Sequence, residues 1–156
     1  MGRIGRYLAI MVMLLAVVSV VVGAIFIYQA VEKESWMKEA MQVEKVTLGL
    51  DEAAVTQGNV IDTAEEAQAA GDILREHRRG IAATYDELLA GERYDPTNPK
   101  HLSYAQALNM ENYLYLAILG FGVTTVIIGV GVFMIIMGIG LGGTGVVLLG
   151  LARRVP

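Results

Sequence analysis

Residues 113–151 read YLYLAILGFGVTTVIIGVGVFMIIMGIGLGGTGVVLLGL, 39 residues without a charge. A bilayer core needs roughly 20 apolar residues, and a straight helix of this run would be about 58 Å long. The run therefore predicts a membrane-spanning helix with length to spare. If Arg153 marks the cytoplasmic surface, residues 129–151 lie in hydrocarbon and residues 113–128 stand beyond the opposite surface. There Tyr113, Leu114, Tyr115, Leu116, Ile118, Leu119 and Phe121 would form an apolar patch that water-facing surfaces rarely tolerate. A tilt of the span, or a break at Gly142-Gly143, would absorb some of this length. Otherwise the patch needs a cover: the domain beside it, the continuation of the first helix, or another chain. We expect Tyr113, Leu116, Leu119 and Phe121, with Met37 and Met41 from the first helix, to form an assembly surface.

Ten of the chain's 18 glycines fall between residues 120 and 150. They begin as pairs nine residues apart, Gly120 with Gly122, Gly129 with Gly131 and Gly138 with Gly140. Nine residues turn a helix through about half a revolution, so successive pairs should notch opposite faces. Gly138 and Gly142 add a G-x-x-x-G spacing, which favours close helix contact in lipid. All seven are candidate helix-packing positions. A glycine-lined pore for small solutes is an alternative reading, but the spans lack an ionisable residue to mark an ion path.

The other apolar block, residues 8–31, follows Arg3 and Arg6 and carries no charge over its 24 residues. It is longer than the apolar core of a secretory signal, and no small-residue cleavage pattern follows, so it reads as a retained anchor. Met1-Gly2 could suggest myristoylation, but residue 6 is Arg rather than Ser or Thr. The expected fold is mainly α: a two-helix transmembrane hairpin carrying a small helix-rich extracytoplasmic domain. Its segments are a tail at 1–7, a span at 8–31, a domain at 32–112, the apolar run at 113–151 and a tail at 152–156. Both tails are purely basic, which places both termini in the cytoplasm of a multi-pass protein of the cell membrane. Lys33, Lys38 and Lys45 weigh little against this, because long translocated segments cross largely regardless of charge.

All 16 acidic residues lie between Glu32 and Glu111, together with eight of the 12 Lys and Arg. A domain this acidic repels nucleic acid and anionic lipid, so the partners expected are the bilayer and other membrane chains. There is no cysteine and hence no disulfide or thiol chemistry. The first helix should continue beyond the bilayer, with Met37, Ala40, Met41 and Glu44 on one face, and Tyr28 and Trp36 suit the interface. Residues 45–50, KVTLGL, and Val60-Ile61 are candidate strands of a short β-hairpin. Thr63 and Glu66 form a capping box ahead of a helix with Ala67, Ala70, Ile73, Leu74 and His77 on its inner stripe and Gly80 as its stop. A short helix over residues 82–90 follows. Asn98-Pro99 should then open a helix that runs through Tyr104, Leu108 and Met110 into the second span.

His77 and His101 are the only histidines. A metal site would need both, plus a carboxylate such as Glu76 or Asp95. Arg75, Arg78 and Arg79 surround His77 and disfavour a dication, so His77 reads as a packed side chain and His101 as a residue at the start of its helix. Asp72 with Arg75 and Glu76 with Arg79 fit surface ion pairs. Phosphate-binding loops, dinucleotide fingerprints and nucleophile elbows do not occur. No catalytic residue and no cofactor are implied.

The order of several short stretches resembles a family of small bacterial two-span membrane proteins of unknown function. They are the basic start, Val46-Thr47, Gln68-Ala69, Ile73, His77, Thr84-Tyr85, Glu87-Leu88, Asp95-Pro96 and Phe121-Gly122-Val123. The chain departs around residues 80–83, where members of that family are richer in glycine. Some members are described as aromatic ring-opening dioxygenases, which would imply a metal-dependent enzyme. The residues favour instead a non-catalytic protein that self-associates, or serves a larger membrane complex, through its glycine-rich span.

Overall fold

The computed structural model describes residues 2–154, with side chains for residues 4–153. Met1, Val155 and Pro156 of the expected tails, and the side chains of Arg3 and Arg154, lie outside the described residues. Among these residues the order is α1 (Gly2–Glu44), α2 (Glu52–Thr56), α3 (Ala64–Ile81), α4 (Tyr85–Leu89) and α5 (Pro99–Arg154). Two helices, Ile4–Glu44 and Pro99–Arg153 within α1 and α5, are long and apolar enough to cross a membrane. Only 11% and 17% of their most apolar windows are buried within the chain, which is compatible with a membrane protein. The chain forms two compact units, residues 1–33 with 123–156, and residues 34–122.

In the first unit, α1 and α5 run antiparallel along a seam of small residues. Ala9, Ala16, Gly23 and Ala30 are buried on α1, and Thr124, Gly131, Gly138, Gly145 and Ala152 on α5. Each series steps by seven residues. Seven residues bring a helix back to almost the same bearing, about 20° short of two turns, so one stripe faces the partner throughout. A Cβ on Gly23 would come within 2.6 Å of the Gly131 carbonyl oxygen, and one on Gly138 within 2.8 Å of the Ala16 oxygen. Nothing larger than hydrogen fits there. In the seam the Ser19 hydroxyl donates to the Met134 carbonyl at 2.7 Å.

The packing period therefore differs from the nine-residue repeat expected of the glycine pairs. Gly131 and Gly138 meet α1, and Gly145 joins them. Gly129 and Gly140 have open space where a Cβ would be. Two residues turn a helix by about 200°, so one member of each pair points inward and the other outward. Gly142 lies beside the seam, with Ala16 Cβ 3.7 Å from its Cβ position.

In the second unit, α3 packs on the first part of α5. Ile61, Ala67, Ala70, Leu74 and Leu114 form the core, with Met41, Val46, Leu48, Leu50, Ala117 and Ile118 against it. No strand occurs among the described residues. Where a β-hairpin was expected, one backbone bond remains, from the Ile61 N–H to the Val46 carbonyl at 2.9 Å. The chain turns at Gly49 (φ +84°), and Asp51 then caps α2 by accepting the Ala54 N–H at 2.7 Å. A helix thus occupies the space between the two expected strands.

Thr63 caps α3, accepting the Glu66 N–H at 3.2 Å, but the Glu66 carboxylate reaches the Asp62 N–H rather than that of Thr63. The helix runs through Gly80 to Ile81 and ends where Ala82 turns extended. Thr84 and Glu87 repeat the cap arrangement one helix later, so α4 starts at Tyr85 rather than at residue 82. Ala90 (φ +48°) and Gly91 (φ +83°) close it in the left-handed region. Asn98 caps α5 through the Lys100 N–H at 3.0 Å, and Pro99 takes the first helical position.

Candidate functional site

The chemistry-bearing residues of the second unit gather where α3 crosses α5. The inward stripe of α3 is Ala67, Ala70, Gly71, Leu74 and Arg78. Ile73 and His77, expected on that stripe, are exposed. The stripe turns because Gly71 admits the Tyr115 ring, whose Cε1 lies 3.1 Å from the position a Cβ would take. From α5 come Tyr104, Ala107, Glu111, Leu114 and Phe121, three or four residues apart except for the seven from Leu114 to Phe121, all buried.

Glu111 is only 5% exposed, and two guanidinium groups meet its carboxylate. Arg78 Nε donates to Oε2 at 2.7 Å and Arg75 Nε to Oε1 at 3.3 Å. Arg78 also donates to the Tyr104 hydroxyl at 2.7 Å, with its guanidinium carbon 5.1 Å from the ring centre. Arg75 donates to the Tyr115 hydroxyl, which in turn donates to Asp72 at 3.1 Å. Asp72 pairs with Arg75 at 3.2 Å, whereas Glu76 and Arg79 form no ion pair among the described residues. Burial pushes the Glu111 carboxyl up, but the hydrogen bonds and charge of Arg78, then Arg75, outweigh it and hold the group below its ordinary value. The hydrogen bond to Glu111 is the main cause of a raised pKa at Arg78. A carboxylate held this way is a poor proton acceptor and a strong tie between helices.

Sequence reasoning missed this cluster, although a signal existed. Glu111 sits on the same helical stripe as Tyr104, Ala107 and Leu114, and an acid on a buried stripe needs a cation opposite it. Arg75 and Arg78, three residues apart on α3, supply two.

The histidines do not meet a common ligand set. His77 is exposed on α3. His101 is buried in the first turn of α5, its Nδ1 accepting the Asp95 N–H at 3.0 Å and its ring stacked on Tyr94 at 5.7 Å. Among the described residues no three His, Asp or Glu side chains stand close enough together to hold a metal ion.

The expected assembly residues divide. Tyr113, Leu116 and Leu119 are strongly exposed, at 62%, 60% and 63%. Phe121 is turned inward, Met41 packs on the core, and the Met37 sulfur occupies the notch left by Gly120, 2.5 Å from its Cβ position. The apolar run that opens α5 is thus partly covered by its own unit, through Leu114, Ala117 and Ile118. In the first unit, Gly129, Gly143 and Gly150 lie on the outward face of α5 with nothing within 4 Å of their Cβ positions. Gly122, in the second unit, is likewise open. No family model, curated protein or solved structure matches the chain.

Proposed function

We propose that the chain is a non-catalytic membrane protein that acts by assembly, joining copies of itself or the subunits of a larger membrane complex. In this reading residues 8–31 and the latter part of 113–151 cross the cell membrane. Arg3, Arg6, Arg153 and Arg154 mark the cytoplasmic side, and the acidic domain faces outward. The observation that carries the proposal is the second glycine series of α5. Gly129, Gly143 and Gly150, with the exposed Ile136 at the intervening heptad position, repeat on the outward face the seven-residue step by which the inward face meets α1. Close helix contact in lipid rests on such small residues, because apolar area alone gives no drive to leave lipid tails. In the second unit, exposed Tyr113, Leu116 and Leu119 form a separate candidate contact surface.

Native mass spectrometry of the full chain in mild detergent tests this. The proposal expects an oligomer or a co-purifying membrane chain, lost in Gly129→Leu and Gly143→Leu variants whose helicity is unchanged. A strictly monomeric protein without a partner would sink it.

A further inference from the structure

The second unit also carries a shallow cleft of about 510 Å³ whose lining differs from the rest of its surface. Residues 34–122 include 22 charged side chains, yet none lines this cleft. Its walls are two tyrosine rings, Tyr85 and Tyr94, and three carboxamides from one stretch of α5, Gln106, Asn109 and Asn112. We infer that the cleft lined by Tyr85, Tyr94, Gln106, Asn109 and Asn112 is a binding site for a neutral saccharide.

Both rings are backed by buried aromatic groups. Tyr94 stacks on His101 at 5.7 Å with 23° between planes, and His101 is fixed by the Asp95 N–H. Tyr85 leans on the fully buried Tyr104 at 6.2 Å, whose hydroxyl is held by Arg78. The rings therefore present apolar faces at little further cost in side-chain freedom. The three carboxamides make no hydrogen bond within the protein, among the described residues. Each offers two N–H donors and a carbonyl acceptor. A sugar ring is the complementary object. It presents C–H bonds on one face, suited to an aromatic plane, and at its rim hydroxyls or acetamido groups that both donate and accept. An anionic or cationic ligand would find no countercharge in this lining, and leaving a charge unpaired there is costly. The volume lies within the range of small-ligand sites, and the open rim lets a longer glycan continue outward. A proline-rich peptide is the other occupant that aromatic and amide side chains can serve. Its one acceptor per residue leaves more of the nine carboxamide hydrogen-bonding groups unused than a sugar's rim does. The inference is independent of the glycine seam.

The test uses the full chain in nanodiscs, with saturation-transfer NMR and calorimetry. The probes are a β-1,4 tetramer of N-acetylglucosamine, the corresponding glucose tetramer and a polyproline peptide. Saturable binding of either sugar is expected, and the sugar preferred tells whether the amides read acetamido groups or hydroxyls. The double variant Asn109→Ala, Asn112→Ala, with both residues on the exposed face of an intact helix, should weaken binding by at least about tenfold, as should Tyr85→Ala. Helicity measured alongside guards against misfolding, and the asparagine pair decides if Tyr85→Ala perturbs α4. Absence of sugar binding up to about 10 mM would overturn the inference. So would binding unaltered in the asparagine variant, or saturable binding of the peptide alone.

Discussion

The two units hold antiparallel helices together by opposite means. Along the seam of α1 and α5 the side chains have almost vanished, and backbone meets backbone at Gly23 and Gly131. Where α3 crosses α5 large polar side chains join the apolar core, with Glu111 between Arg75 and Arg78 and tyrosines behind them. On the membrane reading proposed above, the difference suits the solvent each unit would face. In lipid, burying apolar area gives no drive for association, so contact depends on close packing. In water, a long-range ionic tie surrounded by aromatic rings is protected from screening and adds to hydrophobic burial.

The contrast can be broken most forcefully at Glu111. Glu111→Ala leaves Arg78 buried beside no anion and should cost the second unit about 3 kcal/mol, read as faster hydrogen exchange along α3. Replacing both partners, Arg78→Met with Glu111→Met, should cost less than that single change. If the double variant is the less stable, the cluster's contribution is not electrostatic. Next is Gly131→Leu, which forces the seam apart and should cost about 2 kcal/mol, whereas Gly129→Leu, one turn-face away, leaves the pair intact. Disulfide trapping between cysteines placed in α1 and α5 would read the spacing.

Acid should separate the two units as well. The folded pKa of Glu111 is lowered, so its stabilisation is fully present above the unfolded value of about 4.3 and is lost as pH falls through the folded value. The described heptad stripes of the seam contain no titratable group and should hold across the same range. Exchange protection factors, normalised to the intrinsic rate at each pH from 6 to 3, should fall for α3 and hold along the seam of α1 and α5. The smallest effect belongs to the caps. Thr84→Ala should cost about 1 kcal/mol and fray α4 alone, visible as local exchange.

The two long helices were legible because an uncharged run of 24 or 39 residues has few other uses in a protein. The caps at Thr63 and Asn98 were legible for a similar reason, since their chemistry is local. The seam was half read. Glycine pairs drew attention to a nine-residue repeat, while the signal that sets the contact, a small residue every seventh position, also ran through Ala9, Ala16, Gly23 and Ala30 on the other helix. Reading one helix by itself cannot reveal a period that belongs to a pair. The expected strands failed because the turn at Gly49 and the cap at Asp51 recruit residues 52–56 into a helix, a local preference stronger than the alternation around it. Glu111 escaped notice because its meaning depends on Arg75 and Arg78, which are 36 and 33 residues away.

The seam also sets a rule for length. Because Ala9, Ala16 and Gly23 meet Gly145, Gly138 and Gly131 in step, the paired numbers advance and retreat together. Inserting one residue within either series would swing every later notch by about 100°; placed between Gly131 and Gly138, it would set Met137 against the Ala16 backbone. Adding or removing seven would shift the phase by only about 20°. The helix pair is in this sense quantised: α1 and α5 can be lengthened or shortened by whole heptads, about 10.5 Å at a time, and by nothing smaller.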